Sequence, residues 1–333
     1  MSMEQLFGEH PLAGKFNNLT PDQVFDAVEV DGRRCTGRFI ILNSYENRVY
    51  QLELEDETMV VGKFYRPGRW SRETIMAEHR FLAQLEEVEI PVASPLPLAD
   101  GDTIGLVDGI FYSLFPRVGG RSPDELSDEQ IRMMGRLLGR IHNVGAQEQE
   151  PHRVVLNPQS YGKANLDFML EQGLIHPEAQ EAYRFSVEAL VERIAPLFEG
   201  VNNIRLHGDC HRGNLLVTPQ GPTFLDFDDM VMGPAAQDIW MMVPSYDDEG
   251  KRQRELLIEA YETFREFNRT ELRLIEPLRA LRFIHYTAWI SRRWEDPSFK
   301  RMFSHYGTLI YWQREIQDLR EQIARIDTVL SMY

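Results

Sequence analysis

Apolar and polar residues alternate with a period of two within residues 38–65. Tyr50, Leu52 and Leu54 take turns with Gln51, Glu53 and Glu55, and residues 59–65 form a second β-rich run. This pattern predicts strands, with Glu55-Asp56-Glu57 as the hairpin turn between them. Upstream, Thr20-Pro21-Asp22-Gln23 combines a capping box with a proline at the first helical position, so a helix is predicted to begin there. Downstream the period becomes helical. Ser71 is predicted to cap a helix that runs to about Glu86 and carries Ile75, Leu82 and Leu85 on one stripe. Glu78 falls on that same stripe, and a charge turned inward needs a partner. Pro91, Pro95 and Pro97 interrupt regular structure, and two short strands are predicted at residues 103–107 and 110–115.

The stretch Pro116-Arg117-Val118-Gly119-Gly120 reads as a joint between two lobes. After it, Ser127-Asp128-Glu129-Gln130 is a second capping box, opening a helix with Ile131, Met134, Leu138 and Ile141 on one face. Residues 215–217 and 223–227 flank Gln220-Gly221 as a predicted β-hairpin, and from Pro234 onward the patterns are amphipathic helices. The predicted fold class is α+β with two lobes. A small antiparallel β-rich lobe spans residues 1–116, and a larger, mostly helical lobe spans residues 117–333.

Composition narrows the function classes. The 333 residues include 43% hydrophobic and 11% aromatic side chains, which is a globular composition. With 36 basic and 52 acidic residues the formal charge is −16, a surface that repels nucleic acid and anionic membranes. No run approaches the ~20 apolar residues of a membrane span, and residues 1–15 lack a signal-peptide core, so a cytoplasmic location is expected. Cys35 and Cys210 are far apart with no CxxC, which argues against a disulfide framework or thiolate zinc site.

The chemistry sits in His207-Gly208-Asp209-Cys210-His211-Arg212-Gly213-Asn214 and, twelve residues after Asn214, in Asp226-Phe227-Asp228-Asp229. Phosphoryl transfer from ATP needs a carboxylate to orient the attacking hydroxyl and take its proton. It also needs hard oxygen ligands to hold Mg²⁺ on the phosphates. Asp209 suits the first role; Asn214 and Asp226 suit the second. Taken singly, each residue reads as a turn or as solvated surface, Asp228-Asp229 included. The order D-x₄-N, strand, turn, strand, D favours the catalytic reading. Lys63 lies in an apolar strand, and the inward Glu78 fifteen residues later would neutralise it. Kinases use such a pair to place the α- and β-phosphates; the alternative is a surface lysine and an unrelated glutamate.

The motif resembles the protein-kinase pattern H-R-D-x₄-N followed by D-F-G. His207-Gly208-Asp209 is more similar to the aminoglycoside phosphotransferase and choline kinase branch. Only residues 227–233 separate Asp226 from Pro234, too few for a long activation loop. The loop predicted to cover the phosphates, Asn43-Ser44-Tyr45-Glu46-Asn47, has no glycine; Ser44 and backbone N–H groups could cap a phosphate, or the loop is simply a polar turn. The adenine edge is expected at Pro116-Arg117-Val118. Asp238 is a candidate brace for the catalytic loop, or an acid favoured by a helix dipole. His142 is expected in the core. For Arg279, Arg282 and Arg292-Arg293 the default is a solvated basic face, the alternative an approach for an acidic substrate.

Further strings resemble the bacterial stress response kinase A family: Asn43 to Gln51, Lys63-Phe64-Tyr65-Arg66-Pro67-Gly68-Arg69-Trp70, Phe115 to Arg121, Glu276 to Arg282 and Ser291 to Pro297. The resemblance spans roughly residues 38–298. It implies a cytoplasmic, monomeric serine/threonine protein kinase of the stress response, with Asp209 as proton acceptor, Asn214 and Asp226 on magnesium, and Ser44 touching ATP. Two other functions stay open. One is a small-molecule kinase acting on an alcohol such as an aminoglycoside, choline or homoserine, for which a cationic substrate would need a cluster of acids. The other is a non-catalytic pseudokinase, against which the presence of Lys63, Glu78, Asp209, Asn214 and Asp226 counts.

Overall fold

The computed structural model describes residues 12–331 apart from 31, 43, 219 and 220. Asn43 of the phosphate-loop expectation and Gln220 of the hairpin turn therefore lie outside the described residues, as do residues 1–11. The small lobe begins with α1 (Ala13–Asn17) and α2 (Pro21–Glu29), the latter closed by the reciprocal Thr20–Gln23 capping box. Then come β1 (Cys35–Leu42), β2 (Arg48–Leu54), β3 (Met59–Phe64), α3 (Arg72–Glu87), β4 (Gly105–Val107) and β5 (Ile110–Pro116). The strands form one antiparallel sheet in the order β1-β2-β3-β5-β4.

The alternation in β2 has its predicted consequence: Tyr50, Leu52 and Leu54 are all buried, in a core with Phe16, Val28, Phe64 and Leu114. In α3 the stripe Ile75, Leu82 and Leu85 is buried, and so is Glu78. Ala77, Phe81, Leu82 and Leu85 of α3 pack into the hydrophobic core of the large lobe, with Phe81 edge-on to Phe227 at 5.9 Å. Thus α3 belongs to the small lobe by chain order yet is seated on the large one.

The large lobe holds α4 (Asp128–Gly145), α5 (Ala164–Glu171), α6 (Pro177–Ile194), β6 (Ile204–Leu206), β7 (Leu215–Thr218), β8 (Gly221–Phe224), β9 (Val231–Gly233), α7 (Ala236–Met242), α8 (Asp248–Tyr261), α9 (Ile275–Ser291), α10 (Pro297–Met302) and α11 (Leu309–Leu330). The Ser127–Gln130 capping box opens α4 as expected. Gly135 on α4 lets α8 approach: a Cβ there would stand 2.2 Å from the Leu257 carbonyl oxygen. β7 and β8 form the predicted hairpin, though β8 begins at Gly221 and ends at Phe224, short of the expected residue 227, while β9 returns to pair with β6. These two small ribbons hold the segments that carry Asp209 and Asp226.

Candidate active site

Gly208 turns the chain out of β6 with φ +83°, and a Cβ at this position would stand 2.1 Å from the Asp229 carbonyl oxygen. Both facts demand glycine, which explains the second residue of His-Gly-Asp. Asp238, fully buried near the start of α7, accepts the N–H of His207 at 2.9 Å and of Gly208 at 3.0 Å. His142 reaches the same carboxylate at 3.1 Å and the Tyr261 hydroxyl at 3.0 Å, so it is the hydrogen-bonded core histidine expected. His207 in turn donates through Nε2 to the Leu225 carbonyl at 2.9 Å, tying the Asp209 loop to the strand end before Asp226.

On this frame Asp209, Asn214 and Asp226 line one cavity of about 950 Å³ between the lobes. The Asn214 amide donates to the Asp209 carbonyl at 3.0 Å, and among the described residues its side-chain oxygen accepts no hydrogen bond. Asp226 follows the hairpin in the left-handed region at φ 59°, with its carboxylate about half exposed to the cavity. That conformation costs a non-glycine residue roughly 1–2 kcal/mol. Both side chains present hard oxygens, the donor type that a magnesium ion completes with waters and phosphate oxygens. Among the described residues no group of three or more His, Cys, Asp and Glu side chains forms an all-protein metal cage.

Lys63 on β3 is buried and reaches across to the large lobe. Its ammonium lies 2.9 Å from Asp226 and 3.3 Å from Asp228, and only 3.9 Å from the expected partner Glu78. Burial alone would pull its pKa down, but these three carboxylates hold it well above the ordinary lysine value. Glu78 is shared with Arg153 at 3.6 Å, and burial pushes its carboxyl up to about 7 against those two cations. Lys63 and Glu78 do meet, within a larger network.

Asp209 is held from two sides. Arg282 donates to Oδ1 at 2.7 Å, and His211 Nε2 stands 3.3 Å from Oδ2. Burial works to raise its pKa, yet the His211 hydrogen bond and the nearby Arg282 charge hold it well below the usual carboxylate range. These two neighbours favour its ionised form. Ser44 lines the cavity and its hydroxyl accepts the Asn47 N–H at 3.2 Å. Phe115, Pro116, Arg117 and Val118 form the wall at the joint.

Several of the default and alternative readings are overturned. Asp228 is not solvated surface: it is 2% exposed and bonds Asn47 at 3.0 Å and Arg69 at 2.8 Å. Nor do Arg279, Arg282 and Arg293 form a solvated basic face, whereas Arg292 is exposed as that default has it. Arg279 and Arg293 are buried and Arg282 sits on Asp209. Glu46 and Asn47 make the β1–β2 loop more than a polar turn, since Glu46 pairs with Arg293 at 2.6 Å and accepts from the Trp289 indole at 2.7 Å. Arg153, whose guanidinium donates to the Asp228 carbonyl at 2.6 Å, carried no signal in the sequence at all. For Asp228 the signal was there, in the run of acids after Asp226.

With this geometry in view, the comparisons with known proteins identify the family. The sequence profile of the phosphotransferase enzyme family matches residues 40–275. Stress response kinase A of Escherichia coli (strain K12) is 40% identical over 308 residues, covering 92% of this chain and 93% of that one. Serine/threonine protein kinase RdoA of Salmonella typhimurium (strain LT2) is 39% identical with the same coverage. Among solved structures, an amicoumacin kinase in complex with AMP-PNP, Ca²⁺ and its antibiotic has a TM-score of 0.71 at 19% identity, covering 89% of this chain and 93% of that chain. A microcompartment-associated aminopropanol kinase has a TM-score of 0.67 at 19% identity, covering 95% and 98%. The likeness to the solved structures is one of fold, α+β and two-lobed as the sequence predicts. By profile and by identity over most of its length, this chain belongs to the phosphotransferase enzyme family and, within it, to the stress response kinase A group.

Proposed function

We propose that the protein transfers the γ-phosphoryl group of ATP to serine or threonine hydroxyls of protein substrates, with Mg²⁺ as the metal. The observation that carries this reading is the convergence of Asp209, Asn214, Asp226 and Lys63 on one cavity between the lobes. The 40% identity to a protein named stress response kinase A supports the protein acceptor and a role under stress. In this reading Asp209 accepts a hydrogen bond from the acceptor hydroxyl and then its proton. Asn214 and Asp226 hold the metal, which would neutralise charge on the phosphates. Lys63, kept charged and positioned by Glu78, binds the α- and β-phosphates, and Ser44 with the loop backbone caps them. The joint around Arg117 and Val118 reads the adenine edge. The proposed lobe division falls at 116/117, where β5 ends.

The test is transfer of labelled γ-phosphate to generic protein substrates with Mg²⁺, comparing wild type with Asp209→Asn. Wild type alone should label serine or threonine, with the variant down by about 10³-fold or more. The variant should still bind nucleotide, because the metal ligands and Lys63 remain. Equal loss of ATP affinity would contradict the role given to Asp209. The small-molecule kinases among the solved structures set the control: a panel of small alcohols, which should stay unlabelled.

A further inference from the structure

The acceptor side of the cavity has a charge pattern of its own. Among the described residues five carboxylates line the cavity, and each is already paired. Glu46 faces Arg293, Glu78 faces Arg153 and Lys63, Asp209 faces Arg282, Asp226 faces Lys63, and Asp229 faces Arg69. No acid among them is left over for an ammonium group on a substrate. A polycationic acceptor would bring charge into a wall that offers it no partner.

One face of α9 supplies the wall beside Asp209. Arg282, His285, Tyr286 and Trp289 follow at helical spacing, and all four line the cavity with Met302. None of the five is acidic. His285 stacks on Tyr161 at 4.1 Å. Burial, and after it the charges of Arg292, Arg282, Arg293 and Arg69, drive its imidazole towards the neutral form, so several cations stand around this end of the cavity. Tyr286 and Met302 are nearly half exposed, so the wall opens outward and is apolar at its rim.

Arg282 is the cation that reaches the reacting end. Its side chain is 35% exposed, and its one ion pair among the described residues is with Asp209. A guanidinium has five N–H donors, so a second carboxylate can be bound by the same side chain.

On the protein-kinase reading above, we propose that Arg282 selects the acceptor by pairing with an acidic side chain next to the serine or threonine. The protein would then phosphorylate hydroxyls in acidic sequence contexts. As Arg282 turns to the substrate carboxylate, Asp209 Oδ1 is released to accept a hydrogen bond from the acceptor hydroxyl. The substrate would thus help to uncover the group that receives its proton.

Three peptides test this, each with one serine flanked on both sides by Glu, Gln or Lys. They are assayed with Mg²⁺–ATP on the full chain as wild type, Arg282→Lys and Arg282→Gln. Wild type should favour Glu over Gln by about tenfold in kcat/KM, through KM by the ion pair and through kcat by the uncovering of Asp209, with Lys lowest. Arg282→Lys should keep that order, and Arg282→Gln should bring the three peptides within about twofold of one another. An order that survives in Arg282→Gln, or wild type that labels all three alike, overturns the proposal and leaves the protein-kinase reading standing. If wild type labels no peptide or protein but does label a small alcohol, both fail together.

Discussion

Single residues in the candidate catalytic loop hold positions that chemistry alone would not assign them. Gly208 is there because of the Asp229 carbonyl behind it; Gly208→Ala should cost more than about 2 kcal/mol, read as a lower urea midpoint, since both φ and contact oppose a Cβ. Asp238 does no chemistry, yet three donors depend on it. Asp238→Ala should destabilise by about 3–5 kcal/mol, because buried donors are left unpaired. It should also lower kcat far more than it changes the KM for ATP. A variant with normal kcat would show that the loop keeps its shape without this brace. At this scale the sequence revealed residues whose type implies a reaction: Asp209, Asn214, Asp226, and the inward Glu78. It hid Arg153 and Asn47, polar side chains in loops whose partners lie 75 and 181 positions away in the chain.

At the scale of elements, caps and periodicity were legible because they are local. The capping boxes of α2 and α4 and the alternation in β2 all depend on neighbours within a few residues. What α9 does was not legible, since its polar face meets other parts of the molecule and not water. A second buried polar contact on α9 gives a pH test. Thr287 donates to Glu315 of α11 at 2.7 Å, and burial pushes the Glu315 carboxyl up to about 7 from 4.5. The folded state therefore binds this proton more tightly than the unfolded chain does. Its contribution is fully present below about pH 4.5 and is lost as pH rises through about 7, by up to roughly 3 kcal/mol. In urea melts at pH 5 and pH 8, Glu315→Gln should flatten this dependence and gain stability at the higher pH. An unchanged slope would locate the pH dependence in other groups.

Across the whole molecule, the lobes are joined by more than the joint. Glu46 of the small lobe meets Arg293 and Trp289 of the large lobe, while Arg66 bonds Asp296 at 2.9 Å. Burial pulls Arg293 down to about 10 even with Glu46 beside it. Glu46→Gln should thus cost about 3–5 kcal/mol by leaving buried cations unpaired, and it should raise the KM for ATP as the lobes loosen. A near-wild-type Tm would mean that the cations find other partners. The segment between Asp226 and Pro234 is equally tied down, through Arg153 on one side and the β6–β9 ribbon on the other. Its seven residues, Phe227 to Gly233, include no serine, threonine or tyrosine. Phosphorylation of a side-chain hydroxyl therefore has no site on this stretch. What sets the shape of the segment is its packing, through Arg153 and the β6–β9 ribbon, and no hydroxyl phosphorylation of its own residues can alter it.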